Sequence, residues 1–101
     1  MNFYETFNSS PSSAFHPVKA LDSMTVGASR IEGRWPYAEY SRHSQDEIVV
    51  VISGTVEVEY DDGEKVVVSA GEIEEMRGGR GHKVHQTGKT PADVLLIFPR
   101  R

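Results

Sequence analysis

The sequence predicts an all-β domain, on three observations: apolar runs of strand length, turn residues spacing those runs at short intervals, and no stretch with a helical period. The 101 residues suffice for one core that buries roughly two-thirds of the unfolded surface, and leave no room for a second domain. With 38% hydrophobic and 26% charged residues the chain has the composition of a folded globule, far from that of a disordered one.

The elements follow in order. Residues 1–14 combine Ser9, Ser10, Pro11, Ser12 and Ser13 with Phe3, Tyr4 and Phe7, and are expected to form a loose N-terminal arm outside the core, its aromatics docking on another surface. The β domain is expected over 15–101. His16, between Phe15 and Pro17, reads as a loop residue with nothing to pair with, and Trp35, Tyr37 and Tyr40 read as rings packed on a sheet. Glu47-Ile48-Val49-Val50-Val51-Ile52 is apolar on both faces after its first residue, so both faces need cover, one from the core and one from a second layer or a partner copy. A homodimer supplies that cover simply.

Thr55 to Tyr60 alternates Val56, Val58 and Tyr60 on one face with Thr55, Glu57 and Glu59 on the other, the period of a strand with one wet side. Asp61-Asp62-Gly63-Glu64 then turns the chain into Lys65-Val66-Val67-Val68, since Asp-Gly favours the positive φ angles of a tight hairpin. Residues 71–81 read as a glycine-rich loop, with Glu72, Glu74 and Glu75 a solvated acidic face. A strand begins near His82, with His82, Val84 and Gln86 on one face and His85 on the other. Asp93 to Phe98, bracketed by Pro91 and Pro99, is a last buried strand.

Several function classes fall away. The net charge of −4 argues against non-specific nucleic-acid binding, and the single Arg/Gly stretch from Met76 to Lys83 is explained by the turn that its glycines permit. No apolar run, Ile48 to Ile52 included, exceeds five residues or can cross a bilayer, and the first residues lack a basic segment followed by an apolar one, so no membrane partner is expected and a cytoplasmic location is. With no cysteine, a metal must be held by His, carboxylate or water. No phosphate-binding loop, dinucleotide fingerprint or nucleophile elbow is present.

The chemistry concentrates in two segments. Ser41-Arg42-His43-Ser44-Gln45-Asp46-Glu47 ends one strand, crosses a short turn and starts another; if both strands lie in one sheet, the turn folds the His43 imidazole and the Glu47 carboxylate toward one interior. These residue types hold metals. In the second segment Gly71, Gly79 and His82 stand at the spacing of a short motif that continues to Gln86.

Together the segments resemble the two motifs of the cupin superfamily. The second motif runs Gly, five residues, Pro, one residue, Gly, two residues, His, three residues, Asn; here Gly71, Gly79 and His82 keep the spacing, with Arg77 in place of Pro and Gln86 in place of Asn. The first motif runs Gly, five residues, His-x-His, three or four residues, Glu, six residues, Gly; here His43, Glu47 and Gly54 fit, Ser41 takes the place of the first His, and Trp35 that of the leading Gly. The resemblance spans about residues 15 to 99 and implies a cupin-type double-stranded β-helix, or jelly-roll barrel.

It also implies a divalent metal held by His43, Glu47 and His82, a two-His, one-carboxylate set with open positions that water or Ser41 can fill; Fe, Mn, Ni, Co and Zn all suit such ligands. Tyr40 and Arg80 are expected at the pocket edge, as acid, base or anchor and as a fork for an anionic group, with Arg77 and Lys83 nearby. The implied function is to bind or transform a small, anionic organic molecule, by dioxygenase, isomerase or lyase chemistry if the protein is an enzyme. The alternative is a non-enzymatic, metal-free cupin acting as a sensor, carrier or oligomerisation module.

Overall fold

The computed structural model describes residues 3–9, 15–35 and 40–100. Among these residues there is one short helix, α1 (Phe3–Ser9), followed by β1 (His16–Ala20), β2 (Met24–Ile31), β3 (Arg34–Trp35), β4 (Glu47–Ser53), β5 (Thr55–Tyr60), β6 (Lys65–Ser69), β7 (Ile73–Met76), β8 (His82–Gln86) and β9 (Ala92–Pro99). They form two antiparallel sheets, a five-stranded one ordered β1-β2-β9-β4-β7 and a four-stranded one ordered β3-β8-β5-β6. None of the described helices is long and apolar enough to cross a membrane.

The core lies between the sheets, where period-two alternation sends one set of side chains inward. Val49, Val51, Val94 and Leu96 from the larger sheet meet Val56, Val58, Tyr60 and Val84 from the smaller, all buried. The hairpin of β5 and β6 forms where Asp-Gly foretells it: Gly63 has φ +94° and the Tyr60 N–H donates to the Glu64 carbonyl at 2.8 Å. The strand from Glu47 is covered on one face only, since Ile48, Val50 and Ile52 point outward and remain half-buried.

Three expectations are corrected. Part of the N-terminal arm is the helix α1, which packs on β1 and β2 with Phe7 only 3% exposed. Phe3 and Phe7, four residues apart, stack on the same side of that helix at 5.9 Å, a pairing too short in sequence to register as a period. Such a short helix is unstable alone and is held by its contacts. His16 is the first residue of β1, in register with Ala28, and is engaged by a neighbour. The stretch 71–81 is not all loop: β7 occupies 73–76 and pairs with β4, and Glu74, read as solvated, accepts a hydrogen bond from the buried Tyr60 hydroxyl at 2.5 Å.

Candidate metal centre

The two segments meet at one end of the space between the sheets. Glu47 is the first residue of β4 and His82 the first of β8, so each stands at the mouth of its own sheet. Ser41 forms a backbone bridge to His82, its N–H donating to the His82 carbonyl at 2.8 Å and its carbonyl accepting at 3.0 Å. The turn from Ser41 to Glu47 therefore crosses from one sheet to the other, so the single-sheet condition is not met, and His43 and Glu47 still converge. His43 sits on that crossing.

The glycine-rich loop fixes the crossing by its backbone. The Gly78 N–H donates to Asp46 Oδ1 at 2.8 Å and the Gly79 N–H to the His43 carbonyl at 2.6 Å. A Cβ at Gly78 would overlap the Ser44 carbonyl, and Gly79 has φ +83°, so the two glycines are required by close approach and by backbone angle respectively. Asp61 accepts from the Gly81 N–H at 3.1 Å and pairs with Arg42, tying the same loop to the hairpin.

His43, Glu47 and His82 each offer a ligand atom within 4.8 Å of the others. His43 Nε2 lies 3.1 Å and His82 Nε2 3.3 Å from the same carboxylate oxygen, Glu47 Oε1. Glu47 and His82 are 3% and 4% exposed. The other ring nitrogen of His43, Nδ1, is 2.8 Å from the Gln45 carbonyl, which can only accept, so Nδ1 carries a proton. In the neutral ring Nε2 then presents a lone pair to a carboxylate oxygen, and His82 presents a second imidazole to the same point. Buried electron-pair donors facing one another are costly unless a positive species lies between them. His82 Nδ1 is moreover buried without a hydrogen-bond partner among the described residues. Two imidazoles, one carboxylate and an outer hydrogen bond that orients one ring fit a divalent metal of the Fe, Mn, Ni, Co or Zn type.

The three residues open onto a cavity of about 430 Å³ that is also lined by Phe15, Thr25, Trp35, Ser41, Gln45 and Phe98. Trp35, for which the sequence allowed either core packing or a cavity wall and favoured packing, does both: it leans on the core and faces the cavity. Phe15, Thr25, Gln45 and Phe98 were not singled out by sequence. Phe98 had a signal, since its inward parity on the last strand matches that of Leu96; Phe15 had none.

Tyr40 and Arg80 do not line this cavity. The Arg80 guanidinium lies 3.6 Å above the Tyr60 ring and pairs with Asp62 at 2.8 Å and Glu64 at 2.6 Å, contacts that hold it on the hairpin and raise its pKa. The Tyr40 hydroxyl donates to Glu59 Oε2 at 2.8 Å, which raises the phenol's pKa and lowers that of the carboxyl. Glu59 has the outward parity of β5, so Tyr40 is drawn to the outside of the smaller sheet. Lys83 stacks on Tyr40 at 4.5 Å and Arg77 pairs with Glu75 at 3.2 Å. Tyr37 lies outside the described residues. His85 faces away from His82, as its parity requires, and pairs with Glu57 at 3.1 Å; with Glu59 these two make a second group of metal-capable side chains on the outer face.

A two-sheet jelly roll with a two-His, one-carboxylate cluster beside a small cavity defines the class of small β-barrels that carry a metal-capable group. The family model described as "Cupin domain" matches residues 29–98, and the chain belongs to the cupin family. Among solved structures the chain is similar to a protein from Neisseria meningitidis (TM-score 0.82, 13% identity, 99% of this chain and 98% of that one). It is similar also to a cupin-2 domain containing protein from Shewanella frigidimarina (TM-score 0.82, 20% identity, 99% and 94%). A third, hydroquinone 1,2-dioxygenase from Sphingomonas with 4-hydroxybenzoate bound, matches with TM-score 0.82 and 16% identity over 98% and 72%. No curated protein matches the chain.

Proposed function

We propose that this cupin holds one divalent transition metal through His43, Glu47 and His82 and presents it to a small organic molecule in the adjoining cavity. The observation that carries this reading is the meeting of His43 Nε2 and His82 Nε2 on a single buried oxygen of Glu47. The metal, when bound, supplies Lewis acidity and open coordination positions. The chain's own residues do the rest. Gln45, through its carbonyl, orients the His43 ring; Glu47 offsets part of the metal's charge; Ser41, on the cavity wall, places a hydroxyl where the family's usual ligand is an imidazole. The cavity walls beside the three residues are largely aromatic, with Phe15, Trp35 and Phe98 among them. Dioxygenase, isomerase or lyase chemistry suits such a site, and the dioxygenase among the structural neighbours supports a small-molecule occupant.

Elemental analysis of protein purified without a His-tag tests this. About one metal per chain is expected, lost in both Glu47→Ala and His82→Ala. Wild-type protein that stays metal-free and gains no thermal stability on adding Fe, Mn, Ni, Co or Zn would instead fit the non-enzymatic carrier. The reading extends to assembly: a second copy of the chain covers the outward apolar face formed by Ile48, Val50, Leu95 and Ile97.

A further inference from the structure

We infer, on the reading that His43, Glu47 and His82 hold a metal, that the cavity takes a flat aromatic ring bearing a single acidic oxygen, and discriminates against small molecules with two or more negative charges. Two lines of structure lead there: the shape of the wall and the charge of the site.

Three rings, Phe15, Trp35 and Phe98, share the cavity lining with the three polar residues. Phe15 and Phe98 meet edge to face at 5.3 Å with planes 87° apart, and Phe98 also lies 5.8 Å from the His43 imidazole, so aromatic surface continues from His43 through Phe98 to Phe15. Trp35 adds a third ring. Such surfaces prefer another ring in offset or edge-on contact. The placement of Phe15 is built into the sheet. Gly27 lies in the middle of β2 with inward parity, in register with Leu96, where glycine weakens a strand. A Cβ there would overlap Cδ2, Cε2 and Cζ of Phe15, so the missing side chain lets the ring lie flat on the sheet and keeps the cavity open.

The charge of the site points the same way independently of its shape. A divalent ion, two neutral imidazoles and the Glu47 carboxylate sum to a single positive charge, which one anionic oxygen neutralises. No Lys or Arg is among the cavity's described lining residues. Arg80 and Arg42 are engaged by acidic partners on the hairpin, and Arg100, which reaches Thr25 Oγ1 at 2.7 Å, also donates to the Leu21 carbonyl. A second negative charge would therefore enter a largely apolar space without a counter-ion, at a large desolvation cost. The small anionic molecule expected from sequence is thereby narrowed to a singly charged aromatic one.

Trp35 is the only tryptophan of the chain and reports from inside the wall. The test titrates Zn(II)-loaded protein with benzoate, phenol, cyclohexanecarboxylate, succinate and phosphate, following Trp35 emission, while Co(II) absorption reads metal binding separately. Benzoate or phenol is expected to bind at least roughly tenfold tighter than succinate or phosphate, and benzoate tighter than cyclohexanecarboxylate. Phe15→Ala, which removes a ring, and Gly27→Ala, which pushes that ring into the cavity, are each expected to weaken benzoate by about tenfold while the Co(II) spectrum persists. Succinate or phosphate binding as tightly as benzoate, or both variants binding benzoate unchanged, overturns the inference and leaves the metal centre standing. A wild-type protein with no Co(II) spectrum overturns both.

Discussion

Tyr60 shows how one residue can report on the interior. Its ring is fully buried, its hydroxyl donates to Glu74, and burial first, then that hydrogen bond, raises its pKa above the ordinary 10.0. The unfolded chain releases this proton near the ordinary value while the folded chain retains it. The stability this contributes is complete below about pH 10 and is lost as the pH rises through the folded value. Urea unfolding at about pH 9 and about pH 11 should show a smaller alkaline loss in Tyr60→Phe than in the wild type, at a cost of about 1 kcal/mol at neutral pH for the lost hydrogen bond. Equal alkaline losses would remove Tyr60 from the account. At this scale the sequence was legible for parity and blind to partners. Alternation alone set His82 inward and His85 outward. That Arg80 belongs to Asp62 and Glu64, and Tyr40 to Glu59, depends on which strands become neighbours, which no local pattern carries.

At the scale of elements, the loop between β7 and β8 is the part on which the proposed metal centre depends. It offers backbone N–H groups, rather than side chains, to the crossing that carries His43. Gly78→Ala places a methyl group against the Ser44 carbonyl, so the loop must withdraw and the His43 ring loses its setting. A drop of roughly tenfold or more in Co(II) affinity is expected, with a stability loss of about 1–3 kcal/mol, measured by competition with a chelator and by denaturant melts. An unchanged affinity would show that Gln45 alone suffices to orient His43. The motif spacing found this loop; its mechanical use was hidden because amide donors leave no trace in sequence. The short helix α1 was hidden for the opposite reason, its serine-rich end masking a single aromatic pair.

For the whole molecule, the outward face of the larger sheet is the feature still to be accounted for. Val26, Ile97 and Ile48 stand side by side across β2, β9 and β4, and Leu95, Val50 and Ile73 form the next row, with Ile73 64% exposed. Apolar rows three strands wide are larger than scattered surface residues explain. Light scattering should give twice the chain mass, and Val50→Lys, on a half-buried outward position, should give a folded monomer. A wild-type monomer at high concentration would contradict the second copy. The double-sided apolar strand was legible in the sequence, but whether its second face meets another layer or a partner copy was not; within one chain that face stays half-buried.

The position of β9 has a consequence for how the protein is made. The last strand of the chain is the middle strand of its sheet, between β2 and β4, and it also brings Phe98 to the cavity. As the polypeptide leaves the ribosome, β2 and β4 have no shared neighbour until Ala92–Pro99 emerges, so the sheet closes only once that strand has been made. Until then the apolar residues of β4 are open to other nascent chains. A chain stopped at Pro91 is expected to be retained by chaperones or to aggregate, and the pocket beside His43, Glu47 and His82, all three already translated, to form only once β9 is in place.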